Sequence, residues 1–371
     1  MNKAPINNGF RKQPNDETLI NDNQSSQYNS NPQKIHNNSE NDSPSILGET
    51  LDGFTLQEKL SSSSKEADIY RAINFSIAPN KPFILKYYRR KNAIKPQVLE
   101  KIRSLNSPYL ASIISYGAHL EHQYVVMPYY KNKSLGDLLN SGKTFTLEEL
   151  KTLIIPSINE GLNVLHNLGL IYKNLKPSNL ILDDARKNIV LTDFWGCSDN
   201  LGREGLGSDT NTETKDKTFN LSQNENHSFY YLAPEAIQGI FNKETDYYAL
   251  GITLFELFTG VTPYQTLQNL QYSKNLGLTQ DEKVTLTSIH KLELEFPDNF
   301  PKSLKNLVLG LTYKDLSTSN DLSNSKHQGN LSHRWGYFEV NNWLKGIEHV
   351  VPKEKTQVFT NLKVECGAPF V

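Results

Sequence analysis

The fold of this chain is decided by the polar stretch Tyr172-Lys173-Asn174-Leu175-Lys176-Pro177-Ser178-Asn179. An apolar, strand-like run follows at 189–192 and leads directly into Asp193-Phe194-Trp195. Taken one at a time, the asparagines, the lysines and the aspartate are ordinary turn residues. Their meaning therefore depends on the segments that surround them.

Length and charge narrow the classes of protein to be considered. The chain has 371 residues and a mass of 42.1 kDa. Because a single hydrophobic core stops growing at roughly 250–300 residues, this length predicts a bilobal unit with tails. Lys and Arg number 39 against 40 Asp and Glu, which gives a formal net charge of −1. Without a basic surplus, we expect neither nucleic acid nor an acidic membrane as a partner.

Cysteine usage and apolar runs indicate the cellular compartment. Cys197 and Cys366 lie far apart without metal-type spacing, which argues against a disulfide framework or a zinc site. The first residues lack the apolar core of a signal peptide. The longest apolar stretch, 247–258, contains Glu256 and is too short to span a bilayer. We therefore expect a soluble, cytoplasmic protein.

The two ends of the chain differ in composition from its middle. Residues 1–48 are rich in Asn, Ser, Gln, Asp and Pro, and such a segment buries too little apolar surface to offset the entropy lost on ordering. We expect a disordered arm there and a frayed tail at 349–371. The acidic context of Thr18 fits a phosphothreonine reader as a partner, although a plain solvated tail is the simpler explanation.

The middle of the chain, 49–348, predicts an α+β domain with two lobes. The N-lobe, 49–130, has short β-rich runs and one helical stretch, which predicts a small sheet with a helix packed on it. Its strands are predicted at 54–56, 68–72, 82–87, 111–116 and 124–127, and its helix at 96–105. The C-lobe, 131–348, has helical patterns at 135–139, 147–168, 246–259, 304–311 and 339–345, with polar insertions at 197–228 and 317–330.

The order and rough spacing of several motifs resemble those of the eukaryotic-type protein kinase family, over about residues 53–348. The similar segments are 172–179, Asp193-Phe194, the strand that carries Lys86, the turn 107–110, Ala233-Pro234-Glu235, the helix start 246–251, and Arg334. Lys176-Pro177 and Ser228 are more similar to the Ser/Thr branch than to the tyrosine branch. The strand 66–70 and the ending 334–346 resemble bacterial members.

This resemblance implies a bilobal kinase-like fold that uses ATP and Mg²⁺. It implies the following roles: Lys86 on the ATP phosphates, Met127 as gatekeeper, Tyr129 in the hinge that binds adenine, Lys176 in the catalytic loop, and Asn179 and Asp193 on Mg²⁺. It also implies that Glu235 pairs with Arg334, that Asp246 accepts backbone hydrogen bonds from the catalytic loop, and that Ile102, Tyr172 and Phe194 stack between the lobes.

Three departures from the family pattern weaken phosphate handling. The Gly-rich loop is replaced by Ser-Ser-Ser-Ser-Lys-Glu-Ala at 61–67, and a serine in a left-handed conformation costs roughly 1–2 kcal/mol. The helix glutamate that should hold Lys86 falls at Val98, while Glu100 lies on the wrong face, about 200° further round the helix. Trp195 replaces the glycine of Asp-Phe-Gly and stiffens that turn. We therefore expect weak ATP binding.

Asn174 is the decisive departure, because it occupies the position of the catalytic aspartate. A neutral amide can orient a substrate hydroxyl but cannot take its proton. General-base catalysis typically contributes about 10²–10⁴-fold, which corresponds to roughly 3–5 kcal/mol. Phosphoryl transfer depends mostly on positioning and charge stabilisation, so this loss alone need not abolish turnover.

Three functional hypotheses remain open at this point. The first is a pseudokinase that acts as a regulatory or scaffolding module, with unidentified protein partners. The second is a low-activity Ser/Thr kinase, in which Lys173 docks a phosphorylated threonine of the 197–228 segment. The third is a kinase-fold transferase of another group, adenylyl or glutamyl, that uses Lys86 and Asp193 without the usual base.

Overall fold

The computed structural model describes residues 45–61, 67–89, 95–183, 185–199, 228–238, 240–263, 293–314, 334–347 and 349–351. These residues form a β-rich N-lobe and a helical C-lobe, which is the α+β bilobal architecture predicted from the sequence. The predictions for Thr18, for the arm before Ser45, for 200–227, for 317–330 and for the tail beyond 351 concern residues outside the described ranges.

The N-lobe contains an antiparallel six-stranded sheet in the order β1-β2-β3-β4-β6-β5. Its connections join neighbouring strands as hairpins, except that helix α1, Pro96–Arg103, lies in the chain between β4 and β5. The strands are β1 Thr50–Leu51, β2 Phe54–Ser61, β3 Ala67–Asn74, β4 Ala78–Tyr88, β5 Ser115–His119 and β6 His122–Pro128.

Strand β4 divides its side chains between two cores. Leu85 and Tyr87 belong to an upper apolar cluster with Phe54, whereas Tyr88 belongs to the main cluster with α1 and the C-lobe. This division follows from the two-residue period of a strand, which directs successive side chains to opposite faces. Lys86 shares the face of Tyr88, and its side chain is therefore directed toward the groove between the lobes.

Two boundaries in the N-lobe differ from the sequence predictions. The run 111–116 was predicted as a strand, but 111–114 are irregular and only Ser115 and Tyr116 lie in β5. In this segment the Ala111 N–H donates to Leu191 O, so its apolar residues link the two lobes. Ile46, within the predicted arm, is 0% exposed in the upper cluster, so residues 45–48 belong to the N-lobe.

The C-lobe is built from helices and short strand pairs. The Ser134 cap predicted from the sequence is confirmed, because its Oγ accepts from Asp137 N–H at 3.0 Å and Asp137 Oδ2 accepts from Ser134 N–H at 3.1 Å. The helices are α2 Leu135–Asn140, α3 Leu147–Glu149, α4 Ile155–Asn167, α5 Lys243–Thr259, α6 Lys302–Leu311 and α7 Tyr337–Leu344. The strands are β7 Leu170–Ile171, β8 Leu180–Asp183, β9 Asn188–Leu191 and β10 Ser198–Asp199.

The single helix predicted at 147–168 is divided by a π-helical turn at Leu150–Ile154. Pro156 follows immediately, at the start of α4. Proline has no N–H for the carbonyl of the preceding turn and its ring crowds that carbonyl, so the regular ladder cannot continue through it. The chain accommodates Pro156 by widening one turn, and the helix then proceeds.

Helix α5 is the buried centre of the C-lobe. Its capping pair is reciprocal, with Asn242 Oδ1 accepting from Thr245 N–H at 3.0 Å and Thr245 Oγ1 accepting from Asn242 N–H at 2.8 Å. It ends at Gly260, whose φ of 86° is the left-handed conformation that glycine adopts without strain. Among the described residues, no helix is both long and apolar enough to cross a bilayer.

The predicted ion pair of the C-lobe interior is confirmed. Both Arg334 guanidinium NH groups reach the Glu235 carboxylate, with Nη2 at 3.1 Å from Oε2, and Arg334 Nε donates to Tyr313 O at 2.7 Å. The guanidinium also lies 5.0 Å from the centre of the Tyr248 ring. A buried charge is stable only when it is paired and hydrogen-bonded. The Arg334 guanidinium meets this requirement through its bidentate carboxylate partner and the backbone carbonyl.

Glu256, on α5, gives the fold a pH dependence that the sequence analysis did not anticipate. The Tyr231 hydroxyl donates to Glu256 Oε2. Burial raises the pKa of Glu256 from 4.5 to about 7, although the tyrosine hydrogen bond opposes this shift. Between these values the folded state binds more protons than the unfolded state, so the free energy of unfolding should fall as the pH rises from about 4.5 to about 7.

We predict that Glu256→Gln removes this fall, which amounts to about 3 kcal/mol at most. The amide keeps an acceptor for Tyr231 but has no proton to lose, so the variant should gain stability relative to the wild type above pH 7. Urea unfolding across pH 4–8 measures the slope. Glu149→Gln is the control, because capping bonds from Thr146 lower the pKa of Glu149 and its contribution has the opposite sign. Equal slopes for the wild type and Glu256→Gln would contradict the prediction.

Candidate active site

Asp193 lies at the centre of the candidate site, directly after β9 and Thr192. It is 6% exposed, and its backbone has φ 61° and ψ 74°, a left-handed conformation. A non-glycine residue pays roughly 1–2 kcal/mol for this geometry. The conformation directs the carboxylate into the groove between the lobes, where two side chains of β4 and one of the catalytic loop bind it.

Lys86 and Tyr88, both on β4, bind the same oxygen of Asp193. Lys86 Nζ lies 2.6 Å from Asp193 Oδ1, and the Tyr88 hydroxyl donates to that oxygen at 3.3 Å. The Lys86 ammonium also lies 5.1 Å from the centre of the Tyr88 ring, within the range of a cation–π contact. Strand β4 thus delivers a cation and a hydroxyl to one carboxylate oxygen.

Asn174 binds the other oxygen of Asp193. Its Nδ2 donates to Asp193 Oδ2 at 3.1 Å, and its backbone carbonyl accepts from Asn179 Nδ2 at 2.7 Å. Asn179 O in turn accepts from Thr192 N–H at 2.9 Å. The structure therefore brings four predicted site residues, Lys86, Asn174, Asn179 and Asp193, into one hydrogen-bonded group.

Asp246 holds the catalytic loop in place, as the sequence predicted. Its carboxylate accepts from Tyr172 N–H and Lys173 N–H, each at 2.8 Å, and its Oδ2 lies 2.8 Å from His166 Nε2. Lys173 has a φ of 63°, so its N–H is presented in a strained, left-handed turn. The buried carboxylate compensates for this strain with charge-assisted hydrogen bonds.

Burial keeps two groups behind the loop neutral. It raises the pKa of the Tyr172 phenol and of the Cys197 thiol well above their ordinary values, and the carboxylates of Asp193 and Asp246 add to both shifts. The Tyr172 hydroxyl donates to Thr192 O, and the Cys197 thiol donates to Tyr172 O at 3.7 Å. A thiol with a raised pKa stays protonated at neutral pH, and only the thiolate is a nucleophile. Burial therefore favours a structural role for Cys197 over a reactive one.

Helix α1 has the orientation that the sequence predicted. Val98 is 1% exposed and packs in the main cluster with Leu99 and Ile102. Glu100 lies on the outer face, where its Oε2 accepts from the Tyr116 hydroxyl at 3.0 Å. An apolar side chain therefore stands at the helix position expected for a carboxylate, and Lys86 takes Asp193 as its ion-pair partner.

Two of the three residues predicted to stack between the lobes are in ring contact. The rings of Tyr172 and Phe194 are tilted, with centres 6.1 Å apart, and aromatic pairs at this separation contribute beyond their buried area. Ile102 of α1 belongs to the same buried cluster. The ring pair joins the catalytic loop to the Asp193 turn.

The remaining predicted site residues lie around this centre. Met127 is buried on β6 opposite Ile84, and Tyr129 follows β6 with 39% exposure. Lys176 is partly exposed, and its carbonyl accepts from Asn179 N–H at 3.0 Å. The described residues do not include 62–66, which replace most of the Gly-rich loop, or the side chain of Trp195.

Lys173 makes a contact that bears on the phosphothreonine hypothesis. Its Nζ lies 4.3 Å from the centre of the Phe241 ring, a cation–π distance. The threonines proposed to dock there, Thr210, Thr212, Thr214 and Thr218, are outside the described residues. A phosphate at Lys173 would compete with the Phe241 ring for the ammonium. Docking of a phosphothreonine at Lys173 stays a prediction.

The donor set fits the ligands of the family. A buried carboxylate, Asp193, and an amide, Asn179, supply oxygen ligands of the kind Mg²⁺ takes, and Lys86 supplies a cation for phosphate. Among the described residues, no group of three His, Cys, Asp or Glu side chains could hold a metal by itself.

Sequence reasoning missed Tyr88. Its contact with Asp193 joins residues 105 positions apart in the chain, which no local pattern reveals. A signal was nevertheless present, because residues i and i+2 of a strand share a face and Lys86 was already assigned to the groove. Strand period therefore places the Tyr88 hydroxyl on the same face of β4 as Lys86, which is the sequence signal for this contact.

Comparison with known proteins identifies the class. The family model described as the protein kinase domain matches residues 69–324, more than half of the chain. The chain therefore belongs to the protein kinase family. Members of this family use ATP and Mg²⁺ in general, which is the ligand class that the site residues fit.

Curated relatives add detail at moderate identity. Serine/threonine-protein kinase Sgk1-B of Xenopus laevis is 28% identical over 247 residues, which cover 64% of this chain and 50% of that protein. Serine/threonine-protein kinase PrkC of Bacillus subtilis is 26% identical over 252 residues, covering 66% of this chain and 33% of that protein. The chain spans half or less of the length of these relatives. Both vertebrate and bacterial kinases match, so the resemblance to bacterial members stays a prediction.

We predict a measurable coupling between Lys86 and Asp193. Lys86→Met leaves a buried carboxylate without its cation, and Asp193→Asn leaves a buried ammonium without its anion, so each should destabilise the fold. The double variant removes both charges and should recover about 1–3 kcal/mol relative to the sum of the single changes. Urea unfolding of the four proteins measures this cycle. Additive effects would contradict the pairing of the two groups.

Proposed function

We propose that this chain is a pseudokinase: a kinase-fold module that binds an adenine nucleotide weakly and acts through protein contacts rather than through efficient phosphoryl transfer. The proposal goes beyond family membership. It depends on what occupies the positions of the base and of the helix carboxylate.

One observation carries the proposal, namely that the Asn174 amide donates to Asp193 Oδ2 at 3.1 Å. An aspartate at this position would accept the proton of a substrate hydroxyl, whereas an amide has no basic site for it. In addition, the donor group of Asn174 is already engaged with the carboxylate expected to hold the metal. We infer that the loop stabilises the site and contributes little to the proton transfer.

The buried Val98 supports the same proposal. A carboxylate at that helix position would pair with Lys86 and position it for the nucleotide phosphates, leaving Asp193 for the metal. Here the ammonium lies 2.6 Å from Asp193 Oδ1, so the cation for phosphate and the anion for Mg²⁺ neutralise each other. Nucleotide and metal must separate this buried pair in order to bind, which costs free energy and lowers affinity.

The retained groups favour weak nucleotide binding over its complete loss. Bound ATP with Mg²⁺ would supply the phosphate and the charge that family members use. Lys86 would then bind a phosphate oxygen, while Asp193 and Asn179 would bind the cation. The Met127 and Tyr129 region would form the adenine-binding side of the groove.

The proposed interaction with other proteins is supported by the sequence outside the site. We propose an unidentified protein partner, with Thr18 as a candidate site for a phosphothreonine reader. The balanced net charge of −1 supports a partner other than nucleic acid or an acidic membrane. A cytoplasmic location is the corresponding proposal.

A low-activity Ser/Thr kinase is the second candidate. It is favoured by the grouping of Lys86, Asn179 and Asp193, since phosphoryl transfer depends mainly on positioning and charge stabilisation. Transfer of another group, adenylyl or glutamyl, is the third candidate. Intact-mass measurement of a protein substrate after incubation with ATP distinguishes these reactions, because each leaves a different added mass.

We predict that the wild-type protein transfers no phosphate from labelled ATP above background, with either Mg²⁺ or Mn²⁺. Asn174→Asp restores a proton acceptor, and a rise in transfer of about 10²–10⁴-fold in this variant would favour the second candidate. Asp193→Asn is the matched control, since it removes the metal ligand. Clear transfer by the wild type, abolished by Asp193→Asn, would replace the proposal with the second candidate.

We further predict that ATP with Mg²⁺ stabilises the wild type against heat and that Lys86→Ala loses this effect. At a free ligand concentration of about 100 Kd the stabilisation should be about 2.7 kcal/mol. A thermal-shift titration of both proteins measures it. No shift in either protein would leave a scaffold that does not bind nucleotide.

A further inference from the structure

We propose that Tyr88 is a positioning residue of the nucleotide site. In this site it takes the place of the glutamate that the family has on the helix and that Val98 replaces here. In this role Tyr88 holds Asp193 in the orientation that receives a metal ion and covers the Lys86 ammonium with its ring. The inference rests on the proposed nucleotide binding and names one residue that would determine its metal-dependent part.

The position of Tyr88 fits this role. It is 2% exposed and packs in the main cluster that also contains Val98, Leu99 and Ile102 of α1. Its hydroxyl donates to Asp193 Oδ1 at 3.3 Å, while its ring centre is 5.1 Å from Lys86 Nζ. One side chain thus contacts both members of the ion pair from the side of the groove where α1 packs.

A neutral phenol solves a problem of charge that a second carboxylate would create. Lys86 and Asp193 cancel each other, so an additional buried anion would be left without compensation. The Tyr88 ring attracts the ammonium through its quadrupole, and its hydroxyl donates to the carboxylate. Both members of the pair are therefore bound at no cost in net charge.

The two contacts have different consequences once a nucleotide arrives. Lys86 would then bind a phosphate oxygen and no longer contact Oδ1. The Tyr88 hydroxyl would remain on Oδ1 and, with Asn174 on Oδ2, would limit rotation of the carboxylate, so that its free lone pairs stay directed into the groove. Loss of the hydroxyl should therefore weaken the metal-dependent part of the binding and spare the part that depends on adenine and phosphate alone.

Tyr87 provides a matched control on the same strand. It is also fully buried, but it faces the upper cluster, and its hydroxyl donates to His119 O at 2.7 Å. Tyr87→Phe and Tyr88→Phe each remove one hydroxyl from neighbouring buried tyrosines. Only the second hydroxyl contacts Asp193, so a purely structural effect should be common to both variants.

The test is calorimetric titration of the full chain with ATP, once with Mg²⁺ and once with EDTA. For Tyr88→Phe we expect affinity in Mg²⁺ to fall by about threefold to tenfold, the range for one hydrogen bond, with affinity in EDTA unchanged. Tyr87→Phe should lower the melting temperature without changing either affinity. Tyr88→Leu, which also removes the ring from Lys86, should weaken binding in both conditions. The Mg²⁺ dependence of wild-type binding is a second reading that needs no variant.

The outcomes separate this inference from the function on which it rests. If the wild type binds ATP but Tyr88→Phe matches it in both conditions, or binds more tightly in Mg²⁺, the role of Tyr88 is refuted and nucleotide binding stands. The same holds if the wild type binds ATP equally with and without Mg²⁺. If the wild type binds no nucleotide in either condition, both proposals are refuted.

Discussion

The structure of the catalytic loop depends on one buried carboxylate, that of Asp246. It accepts two backbone N–H groups of the loop and contacts His166 of α4. These bonds impose the left-handed turn at Lys173, and that turn places Asn174 beside Asp193. Asp246 belongs to α5, most of whose residues are buried in the C-lobe. The position of the loop is therefore fixed by a buried helix. A loop held in this way keeps its shape whether or not its side chains perform a reaction.

The residues that stabilise the fold differ from those at which the chain departs from the kinase pattern. The pair of Glu235 with Arg334, the bonds of Asp246 and the stacked rings of Tyr172 and Phe194 contribute to stability without needing a nucleotide. The departures lie elsewhere, at Asn174, Val98 and the serine-rich segment. A chain under selection for its shape alone would be expected to preserve the first set and vary the second.

The sequence predicted most of the C-lobe and much of the site, because those features depend on local signals and motif order. The cap at Ser134 follows from polar residue type and the opposite facing of Val98 and Glu100 from helical period, whereas the Asp246 bonds are implied by the resemblance to the kinase family. The segment 111–114 was assigned to a strand because apolar β-formers look alike whether they pair in a sheet or bridge two lobes. The ion pair of Lys86 with Asp193 depends on how two distant segments meet, which no local pattern shows. Strand period places Tyr88 on the face of Lys86, but it does not identify Asp193 as its partner.

The hydrogen bond from Asn174 to Asp193 also determines the charge balance of the site. Two carboxylates at a separation of 3.1 Å would repel each other, and one would be driven to bind a proton. An aspartate at position 174 would therefore replace an attraction with a repulsion at the centre of the site, unless a cation lay between the two carboxylates. The Asn174 amide, together with Lys86 and Tyr88, gives each oxygen of Asp193 a donor from the protein itself. The charge of residue 174 thus sets how much positive charge the site must hold to be stable.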